Sequence, residues 1–175
     1  MTKPNQAHKM AKKNITFLEL EKWEEEYLRN KLKEEKNLSL NFFPQPLNPK
    51  ILRRIKNTDA VAVFIYSAIS KKELDELPKL QFITTMSTGF DHIDLESCRE
   101  RNIKVSNVPF YGENTVAEHT FALILALSRQ IFGSIEKTKK YNFDLAGLRG
   151  FDLKGKTLGI IGLGHIGEHV CSQNS

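Results

Sequence analysis

The sequence predicts an α/β protein: a flavodoxin-like, doubly wound parallel sheet followed by the truncated start of a Rossmann dinucleotide-binding domain. Three observations carry that expectation. Short apolar runs alternate with helical periods over residues 14–106, the pattern of strands joined by crossover helices. The run at 60–66 (AVAVFIY) is apolar almost without alternation, as a strand covered on both faces must be. A glycine-rich turn, Gly162 to Gly167, follows directly on the apolar segment 156–161.

The elements follow in order. Residues 15–20 read as a strand. Leu20, Trp23, Tyr27, Leu28 and Leu32 then recur at helical spacing and predict one apolar stripe on an amphipathic helix. Residues 38–43 form a second strand, ended by Pro44 and Pro46. Asn48-Pro49 starts a short helix: a side-chain oxygen for the free amides, then a residue with no amide to lose. Ile51, Leu52 and Ile55 are its buried face. After the third strand, Ser70 and Glu73 make a capping box for a helix over Leu74 and Leu77. Residues 80–85 are a fourth strand, 94–101 a short helix with Cys98 on its buried face, and 103–105 a fifth strand. A long apolar helix follows, capped by Asn114 and running through Val116, Phe121, Leu127 and Ile131 to Ile135. Its apolar residues surround so much of its circumference that burial on more than one side is expected. Residues 156–161 (KTLGII) read as a sixth strand. The resulting division is a mobile, disordered basic tail over 1–13, a first domain over 14–106 and a second beginning at 107 and reaching 175.

Composition narrows the class. With 40% hydrophobic and 27% charged residues, the chain has the makeup of a soluble folded protein. It has no apolar run of the roughly 18 residues that span a bilayer, and residues 1–14 lack the apolar stretch of a secretory signal. Two cysteines are too few for a disulfide framework. A cytoplasmic protein without membrane association is expected. The formal charge of +5 comes largely from the lysine-rich tail and dispersed helix positions, with no aromatic-interleaved basic patch, so a nucleic-acid partner is not expected.

The glycine turn carries the cofactor expectation. Gly162 would turn the chain out of the strand, Gly164 would let a pyrophosphate approach the backbone, and Gly167 would let the next helix lie close. Amides around His165 and Ile166 would face the phosphates from the positive end of the helix. Glycine turns are common, and the strand ahead of this one is what points to a dinucleotide. The acidic residue that would hold the adenosine ribose is expected about 20 positions further on. The chain ends at Ser175, and Glu168 comes too early. NAD is therefore the expected cofactor, with NADP not separated from it.

Three pieces of sequence together are specific: Ser87-Thr88-Gly89-Phe90-Asp91-His92-Ile93-Asp94, then Asn107-Val108-Pro109 running to Val116-Ala117-Glu118-His119-Thr120, then Gly162 to Gly167. In this order they closely resemble the D-isomer-specific 2-hydroxyacid dehydrogenase family, over at least half the chain. The resemblance implies a substrate domain, a nucleotide domain inserted into it and an active site in the cleft between them. It places a substrate carboxylate at the amides of Thr88 and Gly89, with Ser87 and Tyr111 also in the substrate site and Val116 beside the nicotinamide. It also implies a homodimer built on the long helix, and a small 2-hydroxy or 2-keto acid as substrate. The family's catalytic arginine, acid and histidine lie downstream of the glycine turn, so no catalytic residue is expected within these 175 residues and the fragment is expected to be inactive alone.

Blander readings stand beside single residues. His92 is expected to be structural. His119 is read as a packed, hydrogen-bonded helix histidine. His165, His169 and Cys171 could suggest a metal, but His165 falls inside the glycine turn and no metal is expected. Ser67 either lines the cleft or caps its own loop, and Ser87 could do no more than fix its turn. The alternative in a different functional class is a dinucleotide-sensing, corepressor-like binding protein of the same fold; a third reading is a non-functional fragment.

Overall fold

A computed structural model describes residues 12–172, and the chain divides into two units, Met1–Pro109 and Phe110–Ser175. The first unit holds β1 (Lys13–Leu18), α1 (Lys22–Leu32), β2 (Leu38–Phe43), α2 (Pro49–Arg54), β3 (Ala60–Val63), α3 (Lys71–Asp75), β4 (Phe82–Thr85), α4 (Leu95–Glu100) and β5 (Lys104–Ser106). Its strands form one parallel sheet in the order β2-β1-β3-β4-β5, the flavodoxin-like order. Residues 1–11 of the expected basic tail lie outside the described residues. Lys13, assigned to that tail, already pairs with Leu38 in the sheet.

Local chemistry places the helices. The Asn48 side chain accepts from the amides of Lys50 and Ile51, with Pro49 at the first helical position. Both halves of the Ser70–Glu73 capping box are present. Asp94 accepts from the Ser97 amide at the start of α4. The core then collects Leu18, Ile51, Ile55, Val61, Val63, Leu74, Ile83 and Cys98, so the predicted faces of α2, α3 and α4 are the buried ones. On α1 the expected stripe is only half-buried, at Leu28 and Leu32, while Trp23 and Tyr27 stand in solvent. Trp23 donates to Glu21 across the helix start, and Lys31 lies over the Tyr27 ring. Leu20 is buried, but it precedes the helix.

The second unit holds α5 (Glu113–Ser128), α6 (Ile131–Lys139) and α7 (His165–Ser172). Four expectations are corrected here. The single long helix is broken: Gln130 takes a left-handed conformation, φ 51°, and the Ser128 carbonyl accepts from the Phe151 amide at 2.9 Å. Gly150 makes that approach possible, since a Cβ there would stand 2.0 Å from the Ser128 oxygen. Gly112, not Asn114, occupies the cap position of α5, and Asn114 reaches forward to Glu118 instead. Residues 156–161 are not a strand. A parallel strand exists only through ladder bonds to a neighbour, and among the described residues no strand pairs with this segment, leaving Ile161 fully exposed. Helix α5 packs on α7, yet it buries only Ala117 and Ser128. Leu123, Leu125 and Leu127 are exposed, contrary to the expected burial on several sides, because α7 and the Gly150 loop cover only part of its circumference.

Candidate functional site

In a doubly wound sheet, ligands gather at the carboxyl ends of the strands, and the first unit concentrates its polar side chains there. Beyond β4, the loop from Met86 to Ile93 carries Ser87, Thr88 and Gly89. The Ser87 hydroxyl is buried, donates to the Gly89 carbonyl at 2.8 Å and lies 2.5 Å from the Thr85 hydroxyl. The loop after β5 braces it from outside. Asn107 Nδ2 donates to the Thr88 carbonyl at 2.8 Å, and the Val108 amide to the Ser87 carbonyl at 3.1 Å. Carbonyls are thus engaged throughout the turn. Among the described residues, the amides of Thr88 and Gly89 meet no acceptor. Successive free amides of this kind form an anion-binding concavity.

A second construction stands beside it. Glu19, at the carboxyl end of β1, adopts φ 62° and is half-buried. Its carboxylate accepts from the Phe64 amide (2.9 Å), the Tyr66 amide (2.6 Å) and the Ser67 hydroxyl (2.6 Å). Ser67, wholly buried, accepts in turn from the Leu47 amide. Its hydroxyl therefore caps the loop. The Glu19 clasp also explains why β3 stops at Val63 although the apolar run continues to Tyr66: the amides of Phe64 and Tyr66 go to a carboxylate rather than to a neighbouring strand.

The glycine turn lies in the second unit. Gly162 has φ +91°, a conformation that side-chain-bearing residues avoid. A Cβ on Gly167 would stand 2.4 Å from the Gly162 carbonyl oxygen, so only glycine lets α7 start against the turn. At Gly164 a Cβ would meet no protein atom within 4 Å. The Glu168 amide returns to the Gly164 carbonyl, the first bond of α7, and the amides of His165, Ile166 and Gly167 precede it in the first turn, where a helix has no internal partner for them. The Phe110 ring meets the His165 imidazole edge-on, centroids 4.8 Å apart. These features meet the steric demands of a pyrophosphate cradle: a positive-φ turn, an open approach and a close helix start.

Residues 15–159 match the family described as D-isomer specific 2-hydroxyacid dehydrogenase, catalytic domain. The chain belongs to this family. It is 37% identical over 136 residues to a 2-hydroxyacid dehydrogenase homolog of Haemophilus influenzae, covering 77% of this chain and 41% of that protein. It is 35% identical over 147 residues to the D-lactate dehydrogenase of Escherichia coli, covering 83% and 44%. The crystal structure of D-lactate dehydrogenase from Aquifex aeolicus, complexed with NAD and lactic acid, superimposes with a TM-score of 0.83 at 33% identity, over 91% of this chain and 47% of that one. The chain thus spans less than half the length of these relatives.

Within this member of the family, each residue singled out from the sequence has a definite place. Ser87, Thr88 and Gly89 share one turn in the first unit. Gly162, Gly164, His165, Ile166 and Gly167 share one turn in the second, where Tyr111 and Val116 are both exposed, Val116 in the first turn of α5. His119 is exposed on α5 and not packed as expected. Among the described residues no group of three or more His, Cys, Asp or Glu side chains could hold a metal. Glu19 and Thr85 escaped the sequence reading. The only available signal for Glu19 was an acidic residue inside the apolar run read as the first strand, and its partners lie some 45 positions away.

Proposed function

We propose that the chain is the substrate- and cofactor-binding front part of an NAD(P)-dependent oxidoreductase acting on a small 2-hydroxy or 2-keto acid. In this reading residues 14–106 are the substrate domain and 107–175 the start of the nucleotide-binding domain. Thr88 and Gly89 present their amides to the substrate carboxylate, and Ser87 fixes the turn. Gly162, Gly164, His165, Ile166 and Gly167 hold the pyrophosphate of NAD, or equally of NADP, while Tyr111 lies beside the substrate and Val116 beside the nicotinamide. When bound, the nicotinamide supplies the hydride donor or acceptor. The residues of this chain bind and orient; a proton-transferring side chain is not among those assigned here. The names of the relatives, dehydrogenases and reductases, give no support to the corepressor-like alternative.

One observation carries the cofactor assignment: the close approach of Gly167 to the Gly162 carbonyl, 2.4 Å from a Cβ, which brings free helix amides to an open turn. Two further assignments accompany it. The exposed leucines of α5 suit a homodimer interface in the longer protein. The two unpaired cysteines, Cys98 and Cys171, suit a reducing, cytoplasmic setting.

The test is a titration of the isotope-labelled chain with NAD, followed by amide resonances. Shifts centred on Gly164, His165 and Ile166 are expected. Unchanged resonances there at millimolar NAD, or shifts confined to the first unit, refute the assignment.

A further inference from the structure

The proton count around Thr85 assigns a part to His92. Thr85 Oγ1 has three polar neighbours besides its own backbone: the Phe64 carbonyl at 3.1 Å, Ser87 Oγ at 2.5 Å and His92 Nε2 at 3.3 Å. Ser87 Oγ also has the Gly89 carbonyl at 2.8 Å. The two carbonyls can only accept, and each hydroxyl brings one proton.

Only a few arrangements exist. If Thr85 gives its proton to His92, the 2.5 Å contact between the hydroxyls can be bridged only by the Ser87 proton, and neither carbonyl then receives one. If His92 carries its proton on Nε2 and donates to Thr85, one hydroxyl proton bridges the pair and the other reaches a carbonyl. That chain runs either outward, from Thr85 to Ser87 to the Gly89 carbonyl, or back, from Ser87 to Thr85 to the Phe64 carbonyl. With the hydroxyl pair and the His92 contact both bridged, only the tautomer protonated on Nε2 leaves a hydroxyl proton for a carbonyl, and it loses the fewest hydrogen bonds.

We propose that His92 is a positioning residue for the 87–89 turn, acting through Thr85 and Ser87. With Nε2 as donor it frees the Thr85 proton for Ser87 and the Ser87 proton for the Gly89 carbonyl, and this holds the turn that aims the Thr88 and Gly89 amides outward. The inference rests on the reading of that turn as a carboxylate site, but the relay itself is a property of the fold. His92 takes no part in any proton transfer to substrate.

Nitrogen-15 shifts of the His92 ring in the 175-residue chain at neutral pH test the tautomer directly; a proton on Nε2 is expected, and a proton on Nδ1 alone overturns the proposal. Backbone relaxation tests the consequence. The Thr88 and Gly89 amides are expected near an order parameter of about 0.85 in the parent chain and to fall toward about 0.6 in His92→Phe, which cannot donate. His92→Gln, whose amide can donate to Thr85, is expected to restore most of the difference; equal loss in both variants overturns the relay in favour of a merely space-filling ring. Should the Phe variant not fold, the tautomer and the Gln variant still decide. Pyruvate added to the parent chain separates the two layers: shifts at Thr88 and Gly89 that weaken in His92→Phe support the whole inference. An absent pyruvate response in a chain whose relay is intact overturns the carboxylate reading and with it the functional half of the proposal.

Discussion

Replacing Glu19 by alanine removes three hydrogen bonds at once, and their surroundings set the cost. The Phe64 amide and the Ser67 hydroxyl are enclosed, the latter completely, and each loses a charged acceptor; an enclosed donor left unmet costs about 1–2 kcal/mol. The Tyr66 amide is exposed and can turn to water, at about 0.5–1 kcal/mol. The left-handed backbone at residue 19 disfavours alanine as much as glutamate, so that contribution cancels. The expected loss is roughly 3–5 kcal/mol, a large share of the 5–15 kcal/mol typical of a folded domain. With a urea slope of about 1–2 kcal/mol per molar, the unfolding midpoint should fall by roughly 1.5–5 M. Two companions divide the effect. Glu19→Gly loses the same bonds but relieves a backbone cost of about 1–2 kcal/mol, so it should be less damaging than alanine. Glu19→Gln can keep an oxygen where Oε2 accepts from Phe64 and Ser67, and should cost about 1–2 kcal/mol. Urea titration followed by circular dichroism reads all three. An alanine variant within about 1 kcal/mol of the parent would refute the clasp, and a glycine variant worse than alanine would refute the left-handed backbone cost.

Gly164→Ala should melt with the parent chain, since its Cβ meets no protein atom, yet lose the NAD-induced shifts. Gly167→Ala, whose Cβ would strike the Gly162 carbonyl, should lose both the shifts and about 1–3 kcal/mol of stability in its own unit. Identical behaviour of the two variants would contradict their separate roles. Burial pushes the Asp59 carboxyl up, but the Asn14 amide and the Lys13 ammonium outweigh it and hold it below the ordinary carboxylate range. Its contribution to stability is therefore present above the unfolded value of about 3.9 and lost as pH falls through the lower folded value. Asp59→Asn should flatten the fall of the urea midpoint below about pH 4, and an unchanged acid profile would rule the interaction out. Mixed with NADH and pyruvate, the 175-residue polypeptide should show no loss of nicotinamide absorbance; measurable turnover would mean that a proton-transferring group lies within it after all.

The sequence by itself determined the elements whose causes are local. Asn48, Ser70 and Asp94 cap helices because their side chains reach amides two or three residues away, and the apolar run beginning at residue 60 does form a covered strand, though only as far as Val63. The parallel direction of the five strands follows from alternation with helices, and the glycine spacing at 162–167 was legible because Gly162 and Gly167 answer to backbone demands within one turn. Tertiary structure decided whatever depends on a distant partner. Residues 156–161 have a strand's composition, but strand formation needs a neighbour to bond, and none is provided among the described residues. The long helix breaks where the Ser128 carbonyl turns to Phe151, an approach that only the fold brings about. Glu19 and His92 act through groups on other strands and loops, joined by contacts between side chains and backbone that leave no periodic trace in the chain. Periodicity and capping are short-range chemistry, and the positioning of the 87–89 turn is not.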